Sequence, residues 1–86
     1  MSVTNFVKKI LIADDEPDIL EIIQYNLQNE GYEVITAKNG HDAIDKAKRS
    51  NPDLIILDIM MPGKNGIEVC NTLRLQPAFN DTLIIF

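Results

Sequence analysis

The stretch Ile10–Leu20, ILIADDEPDIL, decides the fold of this 86-residue chain. The first four residues of this stretch end a short, mainly apolar run, Lys8–Ala13. This run has the length and the branched residues of a strand buried on both faces. Three acids end the strand, and Pro17 then suits the first position of a helix, where its missing N–H would have no partner in any case. A buried strand that passes through acids directly into a helix predicts the first unit of a parallel α/β sheet.

The helix that follows is predicted to run from Pro17 to Glu30. Its apolar side chains recur every three or four residues with acids and amides between them, which is the pattern of a helix with one buried face. These apolar positions are Ile19, Leu20, Ile23 and Leu27. Gly31 marks the end of the helix because glycine tolerates the positive φ that commonly follows a last helical turn.

The same alternation of strand and helix repeats to the end of the chain. The predicted elements are a strand at Tyr32–Ala37, a helix that opens at Asn39-Gly40 and breaks at Asn51-Pro52, a strand at Leu54–Leu57, a loop at Met61–Gly66, a helix at Ile67–Leu75 and a strand at Leu83–Phe86. The predicted inward-facing residues are Ala43, Ile44 and Ala47 in the second helix and Ile67, Cys70 and Leu73 in the third. Connections this short imply right-handed crossovers, so the predicted fold class is α/β, with a parallel sheet covered by helices on both faces.

Length, charge and cysteine content exclude several classes of protein. A chain of 86 residues has room for one small domain. Thirteen acidic residues against eight basic ones give a net charge of −5, which argues against direct binding of nucleic acid or of anionic membrane surfaces. The single cysteine forms no internal disulfide, the apolar runs are far shorter than the roughly 20 residues of a membrane helix, and Met1–Val7 lacks the order of a signal peptide. We therefore expect a cytoplasmic protein.

Acidic side chains stand at the carboxyl ends of two predicted strands. Asp14 and Asp15 follow the first strand, and Asp58 follows the third. In a parallel sheet these ends share one edge, which is also where ligands bind in sheets of this class. Three carboxylates there would repel one another by several kcal/mol unless a cation bound between them. Because Mg²⁺ prefers carboxylate oxygens and leaves positions for phosphate oxygens, the pattern predicts a Mg²⁺ site, which Mn²⁺ could also fill, and a role in phosphate chemistry.

Each of these acids also has a purely structural interpretation. Asp15 or Glu16 could simply start the helix, where a negative charge complements the helix dipole, and Asp58 could be a polar strand end. The three acids are, however, combined with Met61-Pro62-Gly63 and with Gly66 at fixed offsets. This combination favours a functional site over separate structural roles.

The two segments ILIADDEPDIL (Ile10–Leu20) and LIILDIMMPGKNG (Leu54–Gly66) together resemble the receiver domain of two-component response regulators. The resemblance implies a flavodoxin-like, doubly wound parallel sheet, with the strand order 2-1-3-4 in this chain. It also implies that Asp58 is the phosphoacceptor and that Asp15 and Asp58 bind Mg²⁺ directly. Asp14 would act mainly through a metal-bound water, and the backbone carbonyl of Met60 would be the remaining protein ligand.

The function implied by the resemblance is that of a phosphoacceptor in a phosphorelay. The donor would be a phosphohistidine on a sensor histidine kinase or a histidine phosphotransfer protein, and the chemistry would be Mg²⁺-dependent self-phosphorylation at Asp58, without turnover of external substrates. The alternative is a truncated, signalling-inactive receiver that acts only as a binding or dimerising module. A phosphatase of the haloacid dehalogenase type would need an Asp where Met60 stands, and a dinucleotide-binding glycine turn is excluded by Ala13-Asp14-Asp15.

The resemblance covers residues 8–86, which would form a partial receiver domain after an N-terminal extension at 1–7. The family's domain has five strand–helix units, whereas this chain has three and a half, so the fifth strand and the last two helices are expected to be absent. The resemblance implies that the family's hydroxyl residue, just after the fourth strand, and its Lys, after the fifth, would come after Phe86, so neither Thr82 nor Lys64 matches their positions. We expect the strand at Leu83–Phe86 to be a bare apolar edge through which the chain self-associates.

Overall fold

The computed structural model describes residues 8–86, so the predicted extension at 1–7 lies outside the described residues. Four strands alternate with three helices. The elements are β1 (Lys9–Ala13), α1 (Pro17–Asn29), β2 (Glu33–Ala37), α2 (Gly40–Ser50), β3 (Leu54–Leu57), α3 (Gly66–Arg74), a 3₁₀ turn (Pro77–Phe79) and β4 (Leu83–Ile85). Within this described part of the chain, no helix has the length and apolar composition needed to cross a bilayer.

The four strands form one parallel sheet in the order β2-β1-β3-β4, so the predicted α/β fold and strand order are confirmed. The register is level at the carboxyl end of the sheet, where Ala13 of β1 lies opposite Ala37 of β2 and Leu57 of β3. The backbone N–H of Asp58 continues this pairing by donating to the carbonyl of Ala13 at 2.9 Å. The residues that follow β1 and β3 are therefore held side by side.

Alternate residues of the sheet enter two apolar cores, one on each face. The larger core lies under α2 and α3, and its buried members are Leu11, Ala13, Ala37, Ala43, Ala47, Ile55, Leu57, Met61, Val69, Leu73 and Phe79. The smaller core lies under α1, where Ile10, Ile12 and Leu20 are buried and Ile23 and Leu27 pack against them. Residues 10–13 of β1 contribute alternately to both cores, which explains why they form an unbroken apolar run.

Helix α1 ends just before Gly31, as the sequence predicts. This glycine has a φ of +93°, and its N–H donates to the carbonyl of Gln28 at 3.0 Å. The next N–H, of Tyr32, donates to the carbonyl of Leu27 at 3.1 Å. These two bonds form a Schellman motif, in which a left-handed residue satisfies the last carbonyls of the helix.

Two apolar residues predicted to face inward are exposed instead. Ile19 in α1 is 41% exposed and Ile67 in α3 is 44% exposed. In α3 the helix begins one residue earlier than predicted, and its buried positions are Gly66, Val69 and Leu73. Since these positions follow the three- and four-residue spacing of one helix face, Ile67 is turned about 100° away from that face.

The 3₁₀ turn after α3 was not expected from the sequence, which indicated only a helix stop at Gln76-Pro77. The turn buries Phe79, which is 2% exposed in the larger core. The guanidinium of Arg74, in the last turn of α3, donates to the carbonyl of Phe79 at 2.6 Å. This bond joins the end of α3 to the segment that leads into β4.

Candidate functional site

The structure brings together the three acids that the sequence places at the strand ends. One carboxylate oxygen from each of Asp14, Asp15 and Asp58 lies within 4.8 Å of the other two. Asp14 and Asp58 are half-buried, whereas Asp15 is exposed. The level register of β1 and β3 produces this arrangement, because it places the residues after Ala13 and Leu57 at the same height.

The local hydrogen bonds of the acids differ. Oδ1 of Asp14 accepts the backbone N–H of Glu16 at 2.9 Å, so this carboxylate also supports the turn into α1. Glu16 occupies the N-cap position of α1, but its side chain makes no capping hydrogen bond. The Asp15 carboxylate has no hydrogen-bond or ion-pair partner among the described residues. Its position in the cluster therefore has no evident structural purpose.

Met60 contributes to the site through its backbone. Its N–H donates to Oδ1 of Asp58 at 3.3 Å, while its side chain is 77% exposed. Beside the acids lies an open cleft of about 550 Å³. It is lined by Asp15, Met60, Met61, Pro62, Gly63, Asn65 and Glu68. The β3–α3 loop (Ile59–Asn65) thus forms one wall of a cleft that contains a carboxylate of the cluster.

The donor set suits a hard divalent cation. All three side chains offer carboxylate oxygens, which Mg²⁺ prefers, and no thiol or imidazole belongs to the cluster formed by the described residues. Cations that prefer sulfur or nitrogen are poorly matched to such a site. A divalent ion would also offset the repulsion among three negative charges. The residues present therefore fit the Mg²⁺ that the sequence predicts.

The first residue of α3 packs directly on the end of β3. A Cβ placed on Gly66 would lie 2.4 Å from the carbonyl oxygen of Asp58, and the N–H of Gly66 donates to the carbonyl of Ile59 at 3.0 Å. Asn65 and Glu68 close a capping box, with each side chain accepting the other's backbone N–H at 2.9 and 3.0 Å. The spacing of Asn65 and Glu68 is a sequence signal for this helix start, which our interpretation of residues 61–66 as loop missed.

Replacing Gly66 by Ala is expected to lower the free energy of unfolding by about 1–3 kcal/mol, because the new methyl group would meet backbone atoms that cannot rotate away. Urea denaturation measures the loss. Ile67→Ala, at the exposed neighbouring position, is the control and is expected to cost less. Equal stability of Gly66→Ala and the wild type would contradict the close approach seen in the structure.

Other polar residues considered in the sequence do not belong to the acidic cluster. Thr82 is buried and immediately precedes β4, so it lies at the sheet edge opposite the acids, which follow their strands. Lys64 is half-buried in the β3–α3 loop, with its carbonyl against α2. His41 is exposed and lies beside Gly63. Cys70 is half-buried and packs against the larger core.

The sequence matches the family described as response regulator receiver domain over residues 10–86. It is 55% identical over 78 residues to the alkaline phosphatase synthesis transcriptional regulatory protein PhoP of Bacillus subtilis (strain 168). That match covers 91% of this chain and 32% of PhoP, so the chain spans about a third of the length of this relative.

Solved structures give the same result. Response regulator TrrA of Thermotoga maritima, in complex with Mg²⁺-BeF, is 49% identical with a TM-score of 0.78, and the match covers 83% of this chain and 62% of that one. The complex of histidine kinase ThkA with TrrA gives 46% identity and a TM-score of 0.82, covering 92% of this chain and 67% of that one. The resemblance predicted from the two sequence segments is confirmed, and this chain belongs to the family of response regulator receiver domains.

Proposed function

We propose that this chain is the phosphoacceptor module of a two-component phosphorelay and that Asp58 accepts the phosphoryl group. The observation that carries the proposal is that carboxylate oxygens of Asp14, Asp15 and Asp58 lie within 4.8 Å of one another beside an open cleft. The Mg²⁺-BeF complex of the related TrrA supports a metal-dependent site in this chain. The test is whether a small phosphoryl donor phosphorylates the wild type and whether the replacement of Asp58 abolishes this phosphorylation.

In this proposal the metal ligands come from two strand ends and one loop. Asp15, Asp58 and the carbonyl of Met60 would bind Mg²⁺ or Mn²⁺ directly, and Asp14 would bind it mainly through water. Bound Mg²⁺ supplies positive charge that offsets the charge on the equatorial phosphoryl oxygens. The hydrogen bond that Asp14 accepts from the N–H of Glu16 holds the turn that carries Asp15.

The chemical step needs only one nucleophile from the protein. A carboxylate oxygen of Asp58 attacks phosphorus in line, a P–O bond forms, and the bond between phosphorus and the histidine nitrogen breaks with its electron pair left on nitrogen. The product is an acyl phosphate on Asp58. The N–H of Met60, 3.3 Å from Oδ1, restrains the carboxylate for this attack. The chain would turn over no external substrate.

The proposed donor is a phosphohistidine on a sensor histidine kinase or on a histidine phosphotransfer protein. The structure of TrrA with histidine kinase ThkA supports a kinase partner for this chain. A net charge of −5 disfavours nucleic acid as a direct partner. We place the module in the cytoplasm, with which its single free cysteine is compatible. Residues 8–86 would be part of a receiver domain, in keeping with the 62% and 67% of the TrrA chains that they cover.

A second candidate function, a binding or dimerising module that does not signal, is favoured by the edge strand β4. In the described sheet β4 pairs with β3 alone, and three apolar side chains at this edge are exposed: Leu83 (60%), Ile85 (43%) and Phe86 (55%). An exposed apolar strand with free N–H and C=O groups pairs readily with another strand. Self-association of the 86-residue chain would cover this edge.

Ile85→Lys is therefore expected to reduce self-association of the 86-residue chain, because a charged residue on an edge strand opposes pairing. Light scattering over a concentration series measures the effect. Ile85 suits the test because it is exposed, whereas Ile84 packs against the larger core and its replacement would also lower the stability of the fold. Ile22→Lys, on the exposed side of α1, is the matched control. A wild-type monomer at high micromolar concentration would refute the prediction.

A further inference from the structure

We propose that Gly40, the first residue of α2, is a positioning residue for the Mg²⁺ site. By allowing α2 to contact the β3–α3 loop, Gly40 fixes the loop backbone that carries the carbonyl of Met60. The inference rests on the proposed function, since it concerns the affinity of the same metal site. Gly40 is not itself a ligand of the proposed site.

Gly40 is required at its position for reasons of space. It is buried, and a Cβ built on it would lie 2.0 Å from the carbonyl oxygen of Lys64 and 2.6 Å from the Cβ of Lys64. Gly40 lies within a helix, so its backbone conformation is open to any residue. The closest approach is to a backbone oxygen, which cannot move away by a side-chain rotation. Any larger residue must therefore displace either the loop or the helix.

The helix is the more firmly held of the two. Oδ1 of Asn39 caps α2 by accepting the N–H of Asp42 at 2.8 Å. The ammonium group of Lys46 contacts the carboxylate of Asp42 at 3.2 Å and donates to the carbonyl of Thr36 in β2 at 2.6 Å. Ala43 and Ala47 are fully buried against the sheet. An added methyl group at position 40 is therefore expected to move the loop.

A second contact between α2 and the loop lies beside the first, and it joins the residue after Gly40 to the residue before Lys64. Gly63 has a φ of +76°, and a Cβ built on it would lie 3.1 Å from Cδ2 of His41. His41 and Gly63 also line a cleft of about 360 Å³ on the α2 side of the loop. Gly63 in addition lines the cleft that contains Asp15 and Met60. The loop is thus a thin wall with α2 on one side and the metal site on the other.

The two ends of the loop are anchored independently of α2. At its start the N–H of Met60 bonds to Asp58, and at its end the N–H of Gly66 bonds to the carbonyl of Ile59. Between these anchors Met61 is buried in the larger core, so the segment from the Met60 carbonyl to Lys64 is short and tethered. A displacement of Lys64 is therefore expected to press on the segment that includes the Met60 carbonyl. Metal sites typically lose 10- to 100-fold in metal affinity when a group that directly orients a ligand is replaced, and we take the lower end of that range for this more remote support.

The test compares Mg²⁺ with Ca²⁺ in calorimetric titrations of the 86-residue chain and its Gly40→Ala variant. Mg²⁺ demands near-octahedral geometry with short bonds, whereas Ca²⁺ accepts irregular sites with longer ones. A displaced carbonyl should therefore weaken Mg²⁺ binding by about 10-fold and Ca²⁺ binding by much less. A lower Mg²⁺/Ca²⁺ affinity ratio in a folded Gly40→Ala variant is the expected result. A ratio equal to that of the wild type would overturn the proposal.

Three further variants separate this inference from its alternatives. Gly31→Ala makes the same chemical change at a φ of +93° with nothing within 4 Å of the new methyl group, so it should lower stability and leave the affinity ratio unchanged. His41→Ala removes an exposed ring and should fold, with a smaller decrease in the ratio. If Gly40→Ala does not fold, an unchanged ratio in His41→Ala overturns the proposal. If Asp15→Asn retains wild-type Mg²⁺ affinity, the proposed metal site itself is wrong.

Discussion

Replacing Asp58 by Asn is expected to abolish phosphorylation of this protein. Asn has nearly the shape of Asp but no negative charge, and its amide oxygen is too weak a nucleophile to attack phosphorus. Acetyl phosphate with Mg²⁺ is a suitable donor, because it needs no kinase. The wild type should form an adduct that is stable in acid and labile to base and hydroxylamine, as expected for an acyl phosphate. The Asn variant should form none above background.

The structure indicates that this substitution leaves the fold intact. The N–H of residue 58 donates to the carbonyl of Ala13 through the backbone, and an Asn Oδ1 can still accept the N–H of Met60. Removing one of three clustered negative charges should if anything stabilise the protein without metal. Circular dichroism at matched concentration would verify folding. A loss of phosphorylation can then be assigned to chemistry.

Asp81→Asn is the matched control, since Asp81 is an exposed acid in the turn before β4 and lies outside the acidic cluster. It should be phosphorylated as the wild type is. Phosphorylation of Asp58→Asn at the wild-type level would contradict the assignment of Asp58 as the phosphoacceptor.

The convergence of the three acids could be predicted from sequence because it depends on a simple geometric rule. Parallel strands direct their carboxyl ends to one edge, so residues that follow adjacent strands become neighbours. Asp14 and Asp58 lie 44 positions apart in the sequence, yet a level register places them together. The predicted ends of the strands were sufficient to place the acids together, since the apolar runs end at Ala13 and Leu57 as predicted.

The supports of the site could not be predicted in the same way. The contact between Gly40 and Lys64 depends on how closely α2 lies on the loop, and hydrophobic periodicity contains no such distance. The same holds for Gly66 and Asp58. Phe79 illustrates a second limit, because a 3₁₀ turn of three residues is too short to show any period. Patterns in sequence predict which face is buried better than how closely two backbones approach.

Replacing Asp15 by Asn is expected to remove about half or more of the stabilisation that Mg²⁺ gives to the folded protein. A ligand that binds only the folded state adds about 2.7 kcal/mol at a concentration of 100 times its Kd. In the proposed site Asp15 is a charged ligand, and its carboxylate has no other partner among the described residues, so its loss should lower Mg²⁺ affinity by at least about 10-fold. Thermal unfolding with and without Mg²⁺, at constant ionic strength, measures the difference.

The same experiment separates a metal ligand from a residue that only starts a helix. If Asp15 merely complemented the dipole of α1, Asn would lower stability by about 0.3–1 kcal/mol at every Mg²⁺ concentration. A clustered ligand predicts the opposite without metal, because Asn relieves repulsion from Asp14 and Asp58 and stability should rise slightly. The stability curves of the variant and the wild type should therefore cross as Mg²⁺ is added.

Asp18→Asn provides the control that makes this crossing informative. Asp18 is the acid in the first turn of α1 and is exposed, but it does not belong to the acidic cluster. Its replacement should cost a few tenths of a kcal/mol through the helix dipole and leave the gain from Mg²⁺ unchanged. If Asp15→Asn behaves as Asp18→Asn does, Asp15 acts only at the start of the helix. If its gain in stability from Mg²⁺ falls by about half or more while its stability without metal is retained, the carboxylate of Asp15 serves the metal and the start of α1 does not depend on it.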